Sequence, residues 1–254
     1  MSSKKPGGIG ETIRTVVYAV VVALLVRTVA FEPFNIPSGS MIPHLLIGDY
    51  LFVSKYSYGY SRFSLPFGVP GFEGRVLESA PERGDVAVFK LPRDTGVDYI
   101  KRVIGLPGDR VQMKGGRLFL NGAEVPRERI EDYVYVDPRG NVLRFAQYVE
   151  TLPGDIRHRI IEVTDHGPYD DTPEYTVPAG HYFMMGDNRD NSADSRADVG
   201  FVPVDNFVGR AEVLFFSTNG AARIWELWKW PSSIRWERLF NSLRKGGDLG
   251  QAPQ

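Results

Sequence analysis

The feature that most constrains this chain is an apolar run close to its N-terminus. From Ile13 to Phe31 the only strongly polar residues are Arg14, Arg27 and two threonines, and Lys4 and Lys5 precede the run. Apolar residues fall on every side of the helix it would form, and Glu32-Pro33 follows at once. A helix packed on the surface of a soluble domain would keep a polar face, so the pattern predicts a membrane segment. Its uncharged part, Thr15 to Val26, would span roughly 18 Å as a helix, short of the ~30 Å hydrocarbon core. Extended to Phe31 it reaches about 26 Å, with Arg27 snorkelling to the far headgroups. The basic flank predicts that residues 1–12 stay in the cytoplasm and the remainder lies outside. A cleaved secretory signal is the competing reading, because Thr28-Val29-Ala30 loosely fits a small-residue cleavage pattern.

Beyond this segment, short β-rich runs alternate with glycine and proline. No long stretch of period 3.6 appears before the C-terminus. The expected strands are Leu51–Tyr56, Asp85–Lys90, Tyr99–Ile104, Arg110–Lys114, Arg117–Leu120, Val142–Glu150, Ile156–Thr164, His181–Met185 and Arg210–Ser217. Gly115-Gly116 and Asn121-Gly122 are two-residue hairpin signals, so the strands beside them should be antiparallel. The fold class expected is mainly β: an antiparallel catalytic domain, a smaller inserted β subdomain and one N-terminal transmembrane helix. The boundaries read as a tail at 1–12, an anchor at 13–31, a core at 32–111 and 178–218, an insertion at 112–177 and a Trp-rich tail at 219–254. Ser57 to Gly74, rich in Gly, Pro, Phe and Tyr, reads as a long exposed loop or extended hairpin. All four tryptophans lie between Trp225 and Trp236 among basic residues, a mixture suited to a membrane interface; a terminal helix docked on the domain is the plainer reading.

Composition removes several functions. Acids and bases balance to a net charge of -1, so nothing suggests the basic face of a nucleic-acid binder. The chain has no cysteine, which excludes disulfides, thiolate catalysis and cysteine-ligated zinc. His44, His158, His166 and His181 form no metal-binding spacing. The acidic run Gly186 to Arg196 lacks the central glycine and closing glutamate of a calcium loop, so no metal and no cofactor is expected.

Four segments carry reactive polar groups. Pro37-Ser38-Gly39-Ser40-Met41 lies just past the anchor, and taken alone it reads as a turn. In Tyr99-Ile100-Lys101-Arg102-Val103, alternation sets Tyr99, Lys101 and Val103 on one face. If Tyr99 and Val103 face the core, Lys101 is drawn into apolar surroundings, its pKa falls and its neutral amine becomes a usable base. A lysine snorkelling out of the strand is the alternative. Gly186-Asp187-Asn188-Arg189-Asp190-Asn191-Ser192-Ala193-Asp194-Ser195-Arg196 suits a self-paired loop with Ser192 free to orient a neighbour. Gly84-Asp85-Val86-Ala87-Val88-Phe89-Lys90 reads as a core strand entered by a turn.

Together and in this order, behind an N-terminal anchor, these segments resemble the type I signal peptidases, the bacterial leader peptidase family with a serine–lysine dyad. The resemblance implies Ser40 as nucleophile and Lys101 as general base. It implies an oxyanion hole from the Ser38 hydroxyl and the Ser40 N–H. Ser192 would hold the Lys101 amine, with Asp194 and Arg196 bracing the loop, while Pro37, Met41, Leu45, Tyr99 and Ile100 would line pockets for small, Ala-X-Ala-like side chains. The substrates implied are signal peptides of exported preproteins, at the outer or periplasmic face of a bacterial inner membrane. His44 departs from the family, which usually carries threonine there, and the single span departs from relatives with two. An autoprotease of the SOS-repressor type would need a DNA-binding module before Ser40, which is absent. A conjugation-type or organellar leader peptidase, and an inactive membrane-anchored β scaffold, remain as alternatives.

Overall fold

The computed structural model describes residues 9–64, 74–136, 141–222 and 225–244. The tip of the Ser57 to Gly74 loop, Lys4, Lys5 and the end of the C-terminal tail lie outside these residues. The N-terminal helix α1 runs Ile9–Val29, with no buried residue and no face more apolar than another. Its 21 residues measure about 31 Å, long and apolar enough to cross a membrane. It begins and ends earlier than the sequence suggested, because Phe31 already belongs to a strand.

The remainder is antiparallel β-structure. In chain order the strands are β1 (Phe31–Asn35), β2 (Asp49–Ser54), β3 (Val86–Leu91), β4 (Asp94–Gly105), β5 (Arg110–Lys114), β6 (Arg117–Leu120), β7 (Ala123–Glu124), β8 (Arg127–Arg129), β9 (Tyr133–Val136), β10 (Val142–Leu152), β11 (Ile156–Glu162), β12 (Tyr175–Thr176), β13 (His181–Met185), β14 (Val202–Pro203) and β15 (Phe207–Ser217). All the strands read from the sequence are present; the edge strand β1 and the short β7, β8, β9, β12 and β14 were not anticipated. A seven-stranded sheet has the order β1-β2-β15-β3-β4-β13-β14. Two four-stranded sheets are built from β8 to β11 and from β5, β6, β7 and β12.

The hairpins follow from local chemistry. Gly115 and Gly116, both at positive φ, join β5 to β6 with Lys114 opposite Arg117. A mirror-image turn of this kind matches the strand twist and is closed to most side chains. Strands β3, β4 and β15 lie in the middle of the large sheet and pack on both faces. Leu51, Val53, Val86, Val88 and Leu214 fill one cluster, and Ala87, Phe89, Val103, Met184 and Phe207 another.

The C-terminal tail folds back on β15. Arg235 N–H donates to the Ser217 carbonyl (3.0 Å) and Leu243 N–H to the Glu212 carbonyl (2.8 Å). Arg238 closes a fork on the buried Asp49, Nη2 to Oδ2 at 2.5 Å and Nε to Oδ1 at 3.1 Å. Trp225, Trp228 and Trp236 nevertheless point outward. Among the described residues of the tail no long helix forms; Pro231 sits in a four-residue helical turn, Trp230–Ser233.

Candidate active site

Ser40 sits in the turn that joins β1 to β2. Paired backbone bonds close the base of this turn, Ile36 N–H to Asp49 O (2.8 Å) and Gly48 N–H to Ile36 O (3.0 Å). Ile36, Met41 and Leu45 anchor it in the core, leaving Ser40 8% exposed. Asn188 ties the turn from across the cleft: its N–H donates to the Ser40 carbonyl (3.1 Å) and its Nδ2 to the Gly39 carbonyl (3.0 Å).

Lys101 is where β4 passes from exposed to buried, opposite Ala87 of β3. Tyr99 and Val103 pack into one apolar cluster, so the strand carries Lys101 inward as the alternation required. The lysine is 3% exposed, with Nζ 2.6 Å from Ser40 Oγ and 3.0 Å from the Ile100 carbonyl. Among the described residues no carboxylate is paired with it. Burial pushes its pKa down to about 8, against the opposing pull of the Asp194 and Asp187 charges.

The loop after β13 is held by buried ion pairs. Arg196 binds Asp194 through Nε (3.0 Å) and Nη2 (2.9 Å), and Asp194 also accepts the Gly186 N–H (3.0 Å). Arg196 Nη2 reaches the Arg189 carbonyl (2.6 Å). Arg102, on the opposite face of β4 from Lys101, binds Asp187 at 2.8 and 2.6 Å and reaches the Gly84 carbonyl at 2.9 Å. Burial alone would raise the pKa values of Asp187 and Asp194; the adjacent Arg102 and Arg196 hold both below the ordinary aspartate value. Arg189 forms a buried bidentate pair with Glu150 of β10. The inserted segment therefore touches the loop directly.

A cleft of about 590 Å³ runs past Ser40 and Lys101. Pro37, Ser38, Tyr99 and Ile100 line it, together with Phe34, Val88 and Ala193. Met41 and Leu45 do not. Both are wholly buried in the core beneath the turn, because one helical turn separates them and directs both side chains down. Ser192 also differs from expectation. It is buried, but its Oγ has no hydrogen-bond partner among the described residues and makes no bond to Lys101. Ser38 is exposed at the rim; neither its hydroxyl nor the Ser40 N–H is bonded to a described residue. No histidine lines the cleft, and His44 is pushed down to about 3, chiefly by burial.

Sequence reasoning gave no role to Asn188, Arg102 or Gly186. Gly186 is needed for space: a Cβ there would fall 2.2 Å from Ser192 Oγ and 2.5 Å from the Ser40 carbonyl. The motif text held all three residues, but only the folded contact assigns their work.

A mainly antiparallel β protein with one apolar N-terminal helix and a serine and lysine sharing a cleft has counterparts among known peptidases. The model of the family described as signal peptidase, peptidase S26, matches residues 9–216. Proteins named signal peptidase I from Rickettsia typhi and Rickettsia conorii are 39% and 40% identical over 243 residues, 89% of this chain and 90% of each relative. A solved signal peptidase I from Enterococcus faecalis is 31% identical, covering 52% of this chain and 97% of its own, with a TM-score of 0.31. The chain belongs to the signal peptidase family, peptidase S26, and is a serine endopeptidase.

Proposed function

We propose that this chain removes N-terminal signal peptides from exported preproteins by a serine–lysine mechanism while anchored in a bacterial inner membrane. The observation that carries the reading is the 2.6 Å approach of Ser40 Oγ to the amine of a lysine that is 3% exposed. Ser40 attacks the scissile carbonyl as neutral Lys101 takes the hydroxyl proton. The Ser40 N–H and the Ser38 hydroxyl, neither bonded to a described residue, receive the developing oxyanion. Each such donor contributes ~3 kcal/mol to the transition state. The Lys101 ammonium then protonates the departing amine, leaving an acyl-enzyme. Water deprotonated by the same amine releases the product. No metal or organic cofactor enters these steps.

Helix α1 is the membrane anchor in this reading, with residues 1–12 cytoplasmic and the sheets on the periplasmic or outer face. A signal peptide is itself a membrane segment, so two tethered partners meet at a raised effective concentration. Pro37, Tyr99 and Ile100 shape pockets for small side chains, and Asp194 with Arg196 braces the loop carrying Ser192. The exposed tryptophans of the tail suit the lipid interface. Purified protein in lipid vesicles should cleave a preprotein, and Ser40→Ala and Lys101→Ala should each abolish cleavage while remaining folded. Substantial turnover in either variant would refute the assignment.

A further inference from the structure

The junction between α1 and the large sheet contains no linker. Helix α1 ends at Val29, and β1 starts at Phe31 and pairs with β2 from its first residue, Phe31 opposite Ser54. The final carbonyls of a helix have no partner within it and ordinarily turn to water. Here the domain supplies the donors: Tyr60 Oη donates to the Val29 carbonyl (2.6 Å) and Lys55 N–H to the Ala30 carbonyl (3.0 Å). The Phe31 ring packs edge-on against Tyr56 (5.6 Å) and Phe52 (6.3 Å).

Glu32 stands at the centre of this joint. One carboxylate oxygen accepts Arg27 Nε (3.2 Å) and Nη2 (2.9 Å) from the last turn of α1. The other lies 2.9 Å from Lys55 Nζ, just past the end of β2. Arg27 is well exposed, and an exposed pair alone would contribute little. Lys55 differs: it is 2% exposed and, among the described residues, its ammonium is otherwise held only by the Ser64 carbonyl (2.5 Å), so Glu32 is the counter-charge of a buried cation. Burial would raise the Glu32 pKa, but the hydrogen bonds from Lys55 and Arg27 bring it below the ordinary glutamate value.

The wall of the cleft continues directly from this joint. Phe34, the first lining residue, is five residues beyond Val29, within about 18 Å even if fully extended. We infer that Glu32, by clamping Arg27 of the anchor to Lys55 of the sheet, fixes the height of the cleft above the bilayer and so selects which peptide bond of a membrane-embedded preprotein is cut. Glu32 touches neither substrate nor Ser40; it is a positioning residue. The inference rests on the anchored-peptidase reading. It predicts that specificity for membrane substrates depends on depth as well as on the side chains beside the cut.

The test uses the full chain reconstituted in phosphatidylglycerol–phosphatidylethanolamine vesicles. The substrate is a preprotein with several successive Ala-X-Ala sites after its apolar segment; a short soluble peptide with one such site serves in parallel. Wild type should cut predominantly at one site of the preprotein. Glu32→Ala should spread the cuts over neighbouring sites and lower membrane-substrate kcat/KM by about tenfold, with peptide kcat/KM unchanged. Arg27→Gln, which removes the clamp from the anchor side without baring Lys55, should spread the cuts in the same way. An unchanged site distribution in both variants overturns the inference, and so does an equal fall on peptide and preprotein, which would place the effect in the fold. Failure of the wild type to cut either substrate would instead overturn the peptidase mechanism.

Discussion

Replacing Lys101 with methionine separates the cost of its burial from its use. The lysine pKa falls from 10.5 to about 8 inside the fold. At ~1.4 kcal/mol per unit, burying the charged form costs about 3 kcal/mol. Below pH 8 both the folded and unfolded chains keep the proton, so this cost is felt in full. Between pH 8 and 10.5 the folded lysine has lost its proton and the unfolded one has not, and stability contributed at this site rises with pH. Lys101→Met has nothing to titrate there, while the remaining groups titrate alike in both proteins and cancel in the difference. Denaturant unfolding of the two proteins should therefore show Lys101→Met gaining stability relative to wild type by about 3 kcal/mol more at pH 7 than at pH 10.5. The same shift sets activity. At pH 7 about a tenth of the buried amines are neutral, against roughly 0.03% for an ordinary lysine. Peptide kcat/KM of the wild type should rise about tenfold from pH 7 to 9, with its midpoint near 8. A stability difference independent of pH, together with an activity midpoint near 10, would refute the burial argument.

Gly186→Ala should lower kcat by about a hundredfold and destabilise the fold by about 1–3 kcal/mol in denaturant melts, because the added methyl overpacks the site and displaces the Ser40 carbonyl. Glu150→Ala leaves the Arg189 guanidinium buried without its counter-charge and should cost about 3–5 kcal/mol in calorimetry or denaturant melts. Adding Arg189→Met should restore most of that loss. Met41→Ala should destabilise by about 2–5 kcal/mol through a core cavity, and a peptide KM that changed without any loss of stability would return Met41 to the substrate pocket.

What the sequence disclosed depended on range. Strands with their own alternation or hairpin signal, such as β5, β6 and β13, were legible to the residue. Strand β1 was not, because Pro33 reads as a breaker. At the edge of a sheet its missing N–H leaves a ladder position that no neighbour needs. Pro203 of β14, at the opposite edge, hid that strand for the same reason. The inward course of Lys101 was readable from its neighbours, whereas its contact with Ser40 was not, since nothing local joins residues 61 positions apart. Met41 and Leu45 were assigned to the pockets by the resemblance alone; the turn of backbone between them directs both to the core. Arg238 on Asp49 and Arg189 on Glu150 left no local trace at all.

The order of the large sheet has a temporal consequence. Strand β15, residues Phe207–Ser217, is inserted between β2 and β3. Ser40 belongs to the flank on one side of it and Lys101 to the flank on the other. In a chain made from its N-terminus, the strand that fills the gap between the facing edges of β2 and β3 is complete only once residue 217 has been added. A chain that stops before Phe207 lacks the strand through which the two flanks share backbone hydrogen bonds.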